Sequence, residues 1–305
     1  MSTYEERLRR PSSIRSFQLG DLKLSYVPDG AVQLKPYGWL PDATEQDWVE
    51  NSAYLDDAGA LVAGIGGLLV EYGERALLID AGLGPLSAPD DPENSKIGAI
   101  RGGNLLDSLA ELGRSPEEIE AVAVTHLHLD HIGWAAYPAP SENHPGPGEN
   151  QPAPGGEPAL ASAEYLIAEP EWAQRHLVIE HGTSEEALAA MAPRVRTVSE
   201  DEEIFPGVRV MLTPGHTAGH AAYTITSGGQ RLLAFGDALH SSVQIRHPEW
   251  SAGSDLDSVE SAAHRHRLVK ELLRPDTFGF GIHFADVAFG RVDSTSDGPT
   301  WRPVA

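Results

Sequence analysis

The sequence predicts a layered α/β fold in which the β-sheets lie inside and the helices lie outside. Strand and helix patterns alternate along the chain in two comparable halves, as this class of fold requires. The sequence shows no internal repeat of fixed period, which argues against a solenoid or a propeller. The chain has 305 residues, of which 41% are apolar, so it can bury a sizeable core.

The first half of the chain is predicted to begin with two pairs of strands. Alternating apolar residues flank Gly20 and Asp21, which is the pattern of a β-hairpin. Asn104 can cap a helix, and residues 115–118 form a capping box with proline at the first helical position. The further elements of this half are strands over 61–72 and 76–80, a loop or short helix near a pocket over 37–57, a helix over 105–112 and a strand over 121–125.

The second half repeats this alternation after a segment of unusual composition. Residues 138–160 are rich in Pro, Gly and Glu, and we interpret them as a solvated insertion because strands and helices resume on both sides. The predicted helices cover 170–178, 184–191 and 257–273, and the predicted strands cover 208–212, 221–226, 231–235, 277–282 and 285–292. Residues 1–13 are charged and predict a flexible N-terminal arm before a single domain over 14–305.

Composition excludes several classes of function. A formal net charge of −23 repels phosphates and anionic lipid headgroups, so we expect no nucleic-acid partner and no membrane partner. The chain has no cysteine, which excludes disulfides, thiolate metal ligands and a cysteine nucleophile. Its start lacks the apolar core of a signal peptide, and no apolar run approaches the roughly 20 residues of a membrane span. We therefore expect a cytoplasmic protein.

Four side chains that can bind metal follow the predicted strand over 121–125: His126, His128, Asp130 and His131. His126 and His128 point the same way because side chains alternate along an extended chain. Asp130 and His131 fall on the turn into a helix, where they can face a second centre. Burying four such groups without a cation is costly, so the cluster predicts a metal site.

Three further ligands are predicted at strand ends. His216 lies on a tight glycine turn in the segment PGHTAGH, and Asp237 ends the strand over 231–235. Two complete sites need a seventh ligand, for which His283 is best placed, at the end of an apolar run. The other histidines considered are His264 and His266 on a charged helix, His144 and His181 in polar loops, and His220 and His240, which keep an outer or substrate-facing role.

These motifs resemble those of the metallo-β-lactamase superfamily in its dinuclear form. The HxHxDH run, the PGHTxGH turn, the strand-end aspartate and the late histidine carry the resemblance, which extends over about residues 14–305. Segments 236–244 and 281–284 are most similar to the branch that contains methyl parathion hydrolase and the N-acyl homoserine lactonases. The resemblance implies an αββα sandwich of two mixed β-sheets flanked by helices.

The resemblance also implies the ligands of two divalent metal ions per chain. One ion would be bound by His126, His128 and His216, the other by Asp130, His131 and His283, with Asp237 bridging both. Asp80 and Thr125 would hold ligand rings in place through hydrogen bonds, although Asp80 also suits a plain strand cap. Imidazole and carboxylate ligands without sulfur suit zinc, with manganese, iron or cobalt as replacements.

Two such ions favour hydrolysis by a hydroxide that bridges them. Their four positive charges are offset by only two aspartates, which lowers the pKa of a bridging water toward about 7. Asp130 is the predicted catalytic residue, which orients the nucleophile or hands a proton to the leaving group. Trp134, His240 and Phe284 are candidates for the pocket wall, although Trp134 and Phe284 suit the ordinary core equally well. Large aromatic walls would suit a lipophilic ester, lactone or aryl phosphotriester.

The leading hypothesis is a dinuclear metal-dependent hydrolase of carboxylic esters or lactones, with N-acyl homoserine lactones as one substrate class. The alternatives are a phosphotriester hydrolase of the methyl parathion hydrolase type and a thiolester hydrolase of the glyoxalase II type. A redox enzyme, a nuclease, a β-lactamase and an inactive binding protein fit the same residues less well. The resemblance is consistent with a homodimer, whose contacts would be the N-terminal arm or residues 37–48.

Overall fold

A computed structural model describes residues 3–140, 156–296 and 298–304. Two mixed β-sheets pack face to face, and helices cover their outer faces. The layered αββα architecture predicted from the sequence is thereby confirmed. Within the described residues, no helix is both long and apolar enough to cross a membrane.

The first sheet has nine strands from the first two thirds of the chain. They are β1 (Arg15–Leu19), β2 (Leu22–Leu34), β3 (Leu61–Tyr72), β4 (Arg75–Ile79), β5 (Ser87–Ala88), β6 (Ile97–Arg101), β7 (Ala121–Val124), β8 (Glu164–Ala168) and β9 (Val195–Val198). Their order is β5-β6-β2-β3-β4-β7-β8-β9, with β1 alongside β2. Strands β4, β7, β8 and β9 run parallel, so their carboxyl ends share one edge of the sheet.

The second sheet has seven strands that lie in sequence order. They are β10 (Glu203–Phe205), β11 (Val208–Leu212), β12 (Ala221–Ser227), β13 (Gln230–Ala234), β14 (Thr277–Phe280), β15 (Phe289–Thr295) and β16 (Gly298–Pro303). Neighbours pair antiparallel except β13 and β14, which are parallel and are joined by a long crossover. This one parallel pair brings the ends of β13 and β14 to the same edge.

Eight α-helices cover the sheets or connect their strands in the described part of the chain. They are α1 (Tyr4–Leu8), α2 (Pro36–Trp39), α3 (Glu45–Glu50), α4 (Leu105–Glu111), α5 (Leu129–Ala136), α6 (Glu169–Ala173), α7 (Glu185–Met191) and α8 (Ser258–Leu272). Asp257 caps the N terminus of helix α8, because its carboxylate accepts hydrogen bonds from the backbone N–H groups of Val259 and Glu260. Short 3₁₀ turns occur at Ser52–Tyr54, Pro116–Glu118, Arg175–His181, Ala192–Arg194, Gly236–Ala238, Ser242–Ile245 and Ala285–Val287.

Three apolar layers hold this architecture together. The central layer lies between the sheets and includes Leu24, Leu68, Tyr223 and Phe280. The second lies between the first sheet and helices α4, α5 and α7, and the third lies between the second sheet and α8. Strand β3 is buried on both faces over most of its length, which explains its nearly continuous apolar sequence.

Most predicted elements are found, and the differences concern the N-terminal segment, the start of one strand and six strands that were not predicted. Residues 3–13, predicted as part of a flexible arm, contain α1, and Leu8 is buried in the third apolar layer. The strand predicted over 285–292 starts only at Phe289, because Ala285–Val287 forms a 3₁₀ turn. Strands β5, β6, β8, β9, β10 and β16 were not predicted. Of the predicted insertion, residues 141–155 lie outside the described residues, as does His144.

Candidate metal centre

The seven predicted ligands meet at the edge where strands of both sheets end. His126 and His128 follow β7, Asp130 and His131 lie in the first turn of α5, His216 lies in the loop between β11 and β12, Asp237 lies in the 3₁₀ turn after β13, and His283 lies in the loop after β14. The first sheet thus provides four of these side chains and the second provides three. Strand β7 ends at Val124, and the extended backbone of His128 directly precedes α5.

Four of these side chains form the first group: His126, His128, His216 and Asp237, whose candidate ligand atoms all lie within 4.8 Å of one another. His216 Nε2 lies 3.0 Å from His128 Nδ1 and 3.4 Å from Asp237 Oδ2. His126 Nε2 lies 3.7 Å from the same carboxylate oxygen. All four residues come from loops whose side chains point at one position.

The other three, Asp130, His131 and His283, form a second group with the same 4.8 Å limit. Asp237 lies between the two groups: its Oδ1 is 3.1 Å from His131 Nε2 and 2.9 Å from His283 Nε2. Its Oδ2 faces His126 and His216 of the first group. One carboxylate therefore contacts both groups through different oxygens.

The His126 and His128 rings are in the neutral form that can bind a metal ion. Burial and the neighbouring His131 lower the pKa of His126 well below its usual value, and burial and His216 do the same for His128. Both rings are therefore neutral at pH 7. Among the described residues, the buried His126 Nε2 has no hydrogen-bond partner, and His128 Nδ1 is the ring nitrogen that faces His216 Nε2 of the same group. Buried, unpartnered imidazole nitrogens are costly unless a cation accepts their lone pairs.

Neighbouring carboxylates raise the pKa of His131 in the second group. Burial alone lowers the pKa of His131, but Asp237 and Asp80 outweigh it, and the pKa lies well above its usual value. Burial raises the pKa of Asp237, yet the histidines around it outweigh that effect and lower the pKa well below its usual value. Five imidazoles and two carboxylates within this space fit a pair of divalent cations.

Asp80 and Thr125 lie directly behind the ligand rings. Asp80 Oδ2 is 2.9 Å from His131 Nδ1, and its other oxygen accepts from the Thr125 backbone N–H at 2.8 Å. The Thr125 hydroxyl lies 3.1 Å from His126 Nδ1. Asp80 occupies the left-handed region, with φ of +63°, directly after β4. A carboxylate on one ring nitrogen fixes the tautomer in which the other nitrogen can bind a metal.

A buried ion pair that the sequence analysis did not predict lies behind His216. Asp255 Oδ1 is 2.9 Å from His216 Nδ1, and its Oδ2 is 3.1 Å from Arg265 Nη1 of α8. The side chains of both Asp255 and Arg265 are 0% exposed. Burial raises the pKa of Asp255, but its hydrogen bond with His216 outweighs burial, so the pKa lies below its usual value. No local motif marks either residue.

Glu171 of α6 was also not predicted, and it joins the two ligand-bearing loops. Its Oε1 accepts from the backbone N–H of Leu127, between His126 and His128, at 2.9 Å. Its Oε2 accepts from the Thr217 hydroxyl at 2.7 Å and from the backbone N–H of Gly219 at 2.9 Å. Glu171 is 2% exposed, and burial raises the pKa of its carboxyl group. One side chain thereby fixes the distance between the HxHxDH and PGHTxGH segments.

The remaining histidines take different places. His220 is buried, and its Nε2 accepts from the Asp237 backbone N–H at 3.0 Å. Burial lowers the pKa of His220 to about 3, so it stays neutral and supports the Asp237 turn. His240 lies 3.2 Å from Asp237 Oδ2. His264 and His266 lie on α8 and join neither group of ligand atoms.

A cavity of about 410 Å³ opens onto both groups of ligands. Its polar lining includes His128, Asp130, Asp237, His240 and His283. Its apolar lining includes Val32, Leu34, Trp39, Leu83, Leu86 and Ile97. Glu180, His181, Gly182 and Lys96 also line the cavity. Trp39 confirms the prediction that the stretch over 37–57 lies near a pocket.

Two predicted wall residues do not line this cavity. Trp134 is 0% exposed, and its Nε1 donates to Asp29 Oδ1 at 2.9 Å inside the second apolar layer. Phe284 is 1% exposed and packs against Phe235 and Trp301 in the third layer. Adjacency in sequence to a ligand misled the prediction, because a neighbouring side chain on a helix or turn points to another face. His240 alone of the three predicted wall residues lines the cavity.

Comparison with known proteins identifies the family of this chain through one family model. A family model described as the metallo-beta-lactamase superfamily matches residues 68–272. A probable metallo-hydrolase of Mycobacterium tuberculosis is 26% identical over 57% of this chain and 56% of its own length, so the match spans little more than half of that relative. An N-acyl homoserine lactonase of a Bacillus species is 26% identical over 69% of this chain and 78% of its own length.

Solved structures share the fold over nearly the whole chain. AidC, described as a dizinc quorum-quenching lactonase in complex with a product, has a TM-score of 0.76 at 22% identity and covers 97% of this chain and 99% of its own. The hydrolase AbOPH of the beta lactamase superfamily gives the same TM-score, identity and coverage. At this identity the likeness shows the fold alone.

Proposed function

Because this chain belongs to the metallo-β-lactamase superfamily, we propose that it is a dinuclear metal-dependent hydrolase of carboxylic esters and lactones, including N-acyl homoserine lactones. The observation that carries the proposal is the convergence of seven buried or half-buried donors beneath one largely apolar cavity. The similarity to N-acyl homoserine lactonases supports the lactone class in particular.

The two groups of donors suit one cation each. His126, His128 and His216 would hold the first, Asp130, His131 and His283 the second, and Asp237 would contact both. A set of imidazoles and carboxylates without sulfur favours zinc, and manganese, iron and cobalt are the alternatives. When bound, two such cations supply Lewis acidity and make hydroxide available from water near neutral pH.

The protein side chains around this position provide proton transfer and orientation. Asp130 is 24% exposed, lines the cavity, and has its Oδ2 3.7 Å from His131 Nε2 and 3.8 Å from His283 Nε2. It is placed to take a proton from the attacking water and return one to the leaving alkoxide. His240 has a buried Nδ1 with no hydrogen-bond partner among the described residues, so its ring can bind a polar atom of the substrate.

The overall reaction adds water across one acyl–oxygen bond. The water oxygen forms a bond to the acyl carbon, the bond between that carbon and the ester oxygen breaks, and the ester oxygen receives a proton. A lactone opens to a hydroxy acid, which ionises and releases one proton at pH 7. In an N-acyl homoserine lactone the amide-linked acyl chain would lie against the apolar wall formed by Val32, Leu34 and Leu86.

The cavity also selects against highly charged substrates. Lys96 is the one lysine or arginine among the described residues that line it, and its Nζ donates to the Gly253 carbonyl at 2.6 Å. A polyanion would therefore meet little positive charge beyond the metals. Neutral aryl phosphotriesters satisfy the same condition, and they are the second class of substrate that we propose.

The test is a comparison of kcat/KM on lactones, aryl esters and phosphotriesters with zinc-loaded, manganese-loaded and chelated protein. We expect the highest value on a lactone with an acyl chain of several carbons, and loss of turnover after chelation. Asp237→Ala should abolish turnover because it removes the carboxylate shared by both groups. Retention of activity in the chelated protein, or turnover of none of the three classes, would contradict the proposal.

A further inference from the structure

A buried carboxylate three positions after His283 is surrounded by arginines from the N-terminal segment. Asp286 Oδ2 accepts from Arg10 Nη2 at 2.6 Å, and Oδ1 accepts from Arg15 Nη2 at 2.8 Å. Arg7 Nε donates to the Asp286 carbonyl oxygen at 2.8 Å and lies 3.5 Å from Oδ2. The Asp286 side chain is 2% exposed. These four residues, which we name the Asp286 cluster, join segments that lie at opposite ends of the sequence.

The turn that contains Asp286 has a conformation that depends on its surroundings. Ala285 has φ of +43°, in the left-handed region that is unfavourable for a residue with a Cβ atom. Such a conformation persists only when neighbouring structure holds it. Leu8 of α1 is buried in the same apolar layer as Phe284 and Val287, so the N-terminal segment covers the turn with apolar as well as charged contacts.

The His283 ring is also held by a contact with β3. Its Nδ1 lies 2.6 Å from the Gly64 carbonyl oxygen of β3, and its Nε2 faces His131 and Asp237. The ring is therefore held by β3, whereas the backbone that carries it is held by the N-terminal segment. A shift of the turn would move Nε2 relative to the second group of ligands.

From these contacts we infer that the Asp286 cluster is a positioning device: residues 7–15 hold the His283 turn and thereby set the metal affinity of the second group, formed by Asp130, His131 and His283. This inference rests on the proposed function, because it assigns His283 to a metal. It gives the N-terminal segment a role in the active site of its own chain, in place of the flexible arm that the sequence predicted.

The test uses the full-length double variant Arg10→Gln/Arg15→Gln. The matched control is Arg196→Gln/Arg209→Gln, which removes two half-exposed arginines that pair with glutamates elsewhere. Zinc binding is measured by competition with a chromophoric chelator, and hydrogen exchange over residues 281–289 is measured on the metal-free proteins. A third variant, Asp286→Asn, repeats the measurement from the other side of the cluster.

We expect faster exchange over residues 281–289 and a rise of about tenfold in one of the two zinc dissociation constants, with the other within about twofold. The control should match the wild type in both measurements. In a His283→Ala background, the arginine substitutions should have no further effect on zinc binding, because the residue through which they act is gone.

Any of four results would overturn the inference. In the double variant these are unchanged hydrogen exchange, unchanged zinc affinity, or an equal increase in both zinc dissociation constants. The fourth is that the arginine substitutions reduce zinc affinity in the His283→Ala background by as much as they do in the wild type. Failure of the proposed function looks different: the wild type itself would bind fewer than two zinc ions. The exchange measurement on metal-free protein would then still decide whether the arginines hold the turn.

Discussion

Replacement of Asp255 by asparagine should weaken metal binding and destabilise the fold together. The carboxylate is fully buried and contacts both His216 Nδ1 and Arg265 Nη1. Removal of its charge leaves the buried Arg265 without a counter-ion, which costs about 3–5 kcal/mol in comparable buried pairs. Loss of a carboxylate that orients a metal-binding histidine costs about 10–100-fold in metal affinity. The two effects are measured by urea unfolding of the metal-free protein and by zinc titration.

A compensating variant separates the two effects. In Asp255→Asn/Arg265→Met the unpaired charge is removed, so most of the lost unfolding free energy should return. Zinc affinity should stay low, because His216 still lacks its carboxylate partner. Glu203→Gln, which removes an exposed partner of Arg209, is the matched control and should change the unfolding free energy by less than about 1 kcal/mol.

Either of two results for Asp255→Asn would contradict this prediction. A loss of unfolding free energy below about 1 kcal/mol in Asp255→Asn would show that the buried arginine tolerates the loss of its partner. Zinc affinity equal to that of the wild type would show that the carboxylate does not orient His216. Recovery of zinc affinity together with stability in the double variant would assign the metal effect to misfolding alone.

Four further predictions address the same site. The pKa of Asp255 lies below its usual value, so this carboxylate stabilises the fold at a pH above its pKa in the unfolded chain and loses that effect as the pH falls. The difference in unfolding free energy between the wild type and Asp255→Asn should therefore be constant from about pH 5 to 7 and shrink below about pH 4. A difference that stays constant below about pH 4 would contradict this prediction. Glu171→Gln should lower the unfolding free energy by about 1–3 kcal/mol, because the amide NH₂ group that replaces one carboxylate oxygen cannot accept from the buried N–H donors of the two loops. Urea unfolding measures this change, and a change within experimental error would argue against the role of Glu171 in joining the loops. Chelation should lower the unfolding free energy by about 4 kcal/mol for each zinc ion lost from protein in free zinc at 1,000 times that site's dissociation constant, and so by about 8 kcal/mol for two. Thermal melts with EDTA and zinc re-addition test this, and identical melting temperatures would exclude tight binding. His240→Ala should reduce kcat/KM on lactones by about tenfold with two metals still bound; metal analysis beside steady-state kinetics distinguishes this from loss of a ligand.

The sequence was sufficient for the layers and for the candidate ligands because both depend on short-range patterns. His126, His128, Asp130 and His131 lie within six positions of one another, so the chain itself keeps them together. Long apolar strands such as β3 are equally visible, since burial on both faces imposes a continuous apolar run. A short edge strand such as β5 has too few residues to show an alternating apolar pattern. Only its pairing with β6 identifies β5 as a strand.

Residues that act through long-range packing left no such signal. Asp255, Glu171 and Asp286 belong to no sequence motif, and only the packed structure shows that donors surround each of them. The opposite error affected Trp134 and Phe284, which lie beside ligands in the chain but point into apolar layers. Local spacing therefore identifies what can bind a metal, whereas the groups that hold the ligands in place require the tertiary structure.

The division of the candidate ligands between the two sheets has a kinetic consequence. Neither half of the chain carries a complete coordination set, so a cation is fully coordinated only after the sheets have docked. Contacts between residues as far apart in sequence as His126 and His283 form late, because closing such a long loop is slow. Bound metal would then stabilise an arrangement absent from the folding transition state. It should slow unfolding far more than it accelerates refolding, so that zinc extends the lifetime of the native protein rather than guiding the chain toward it.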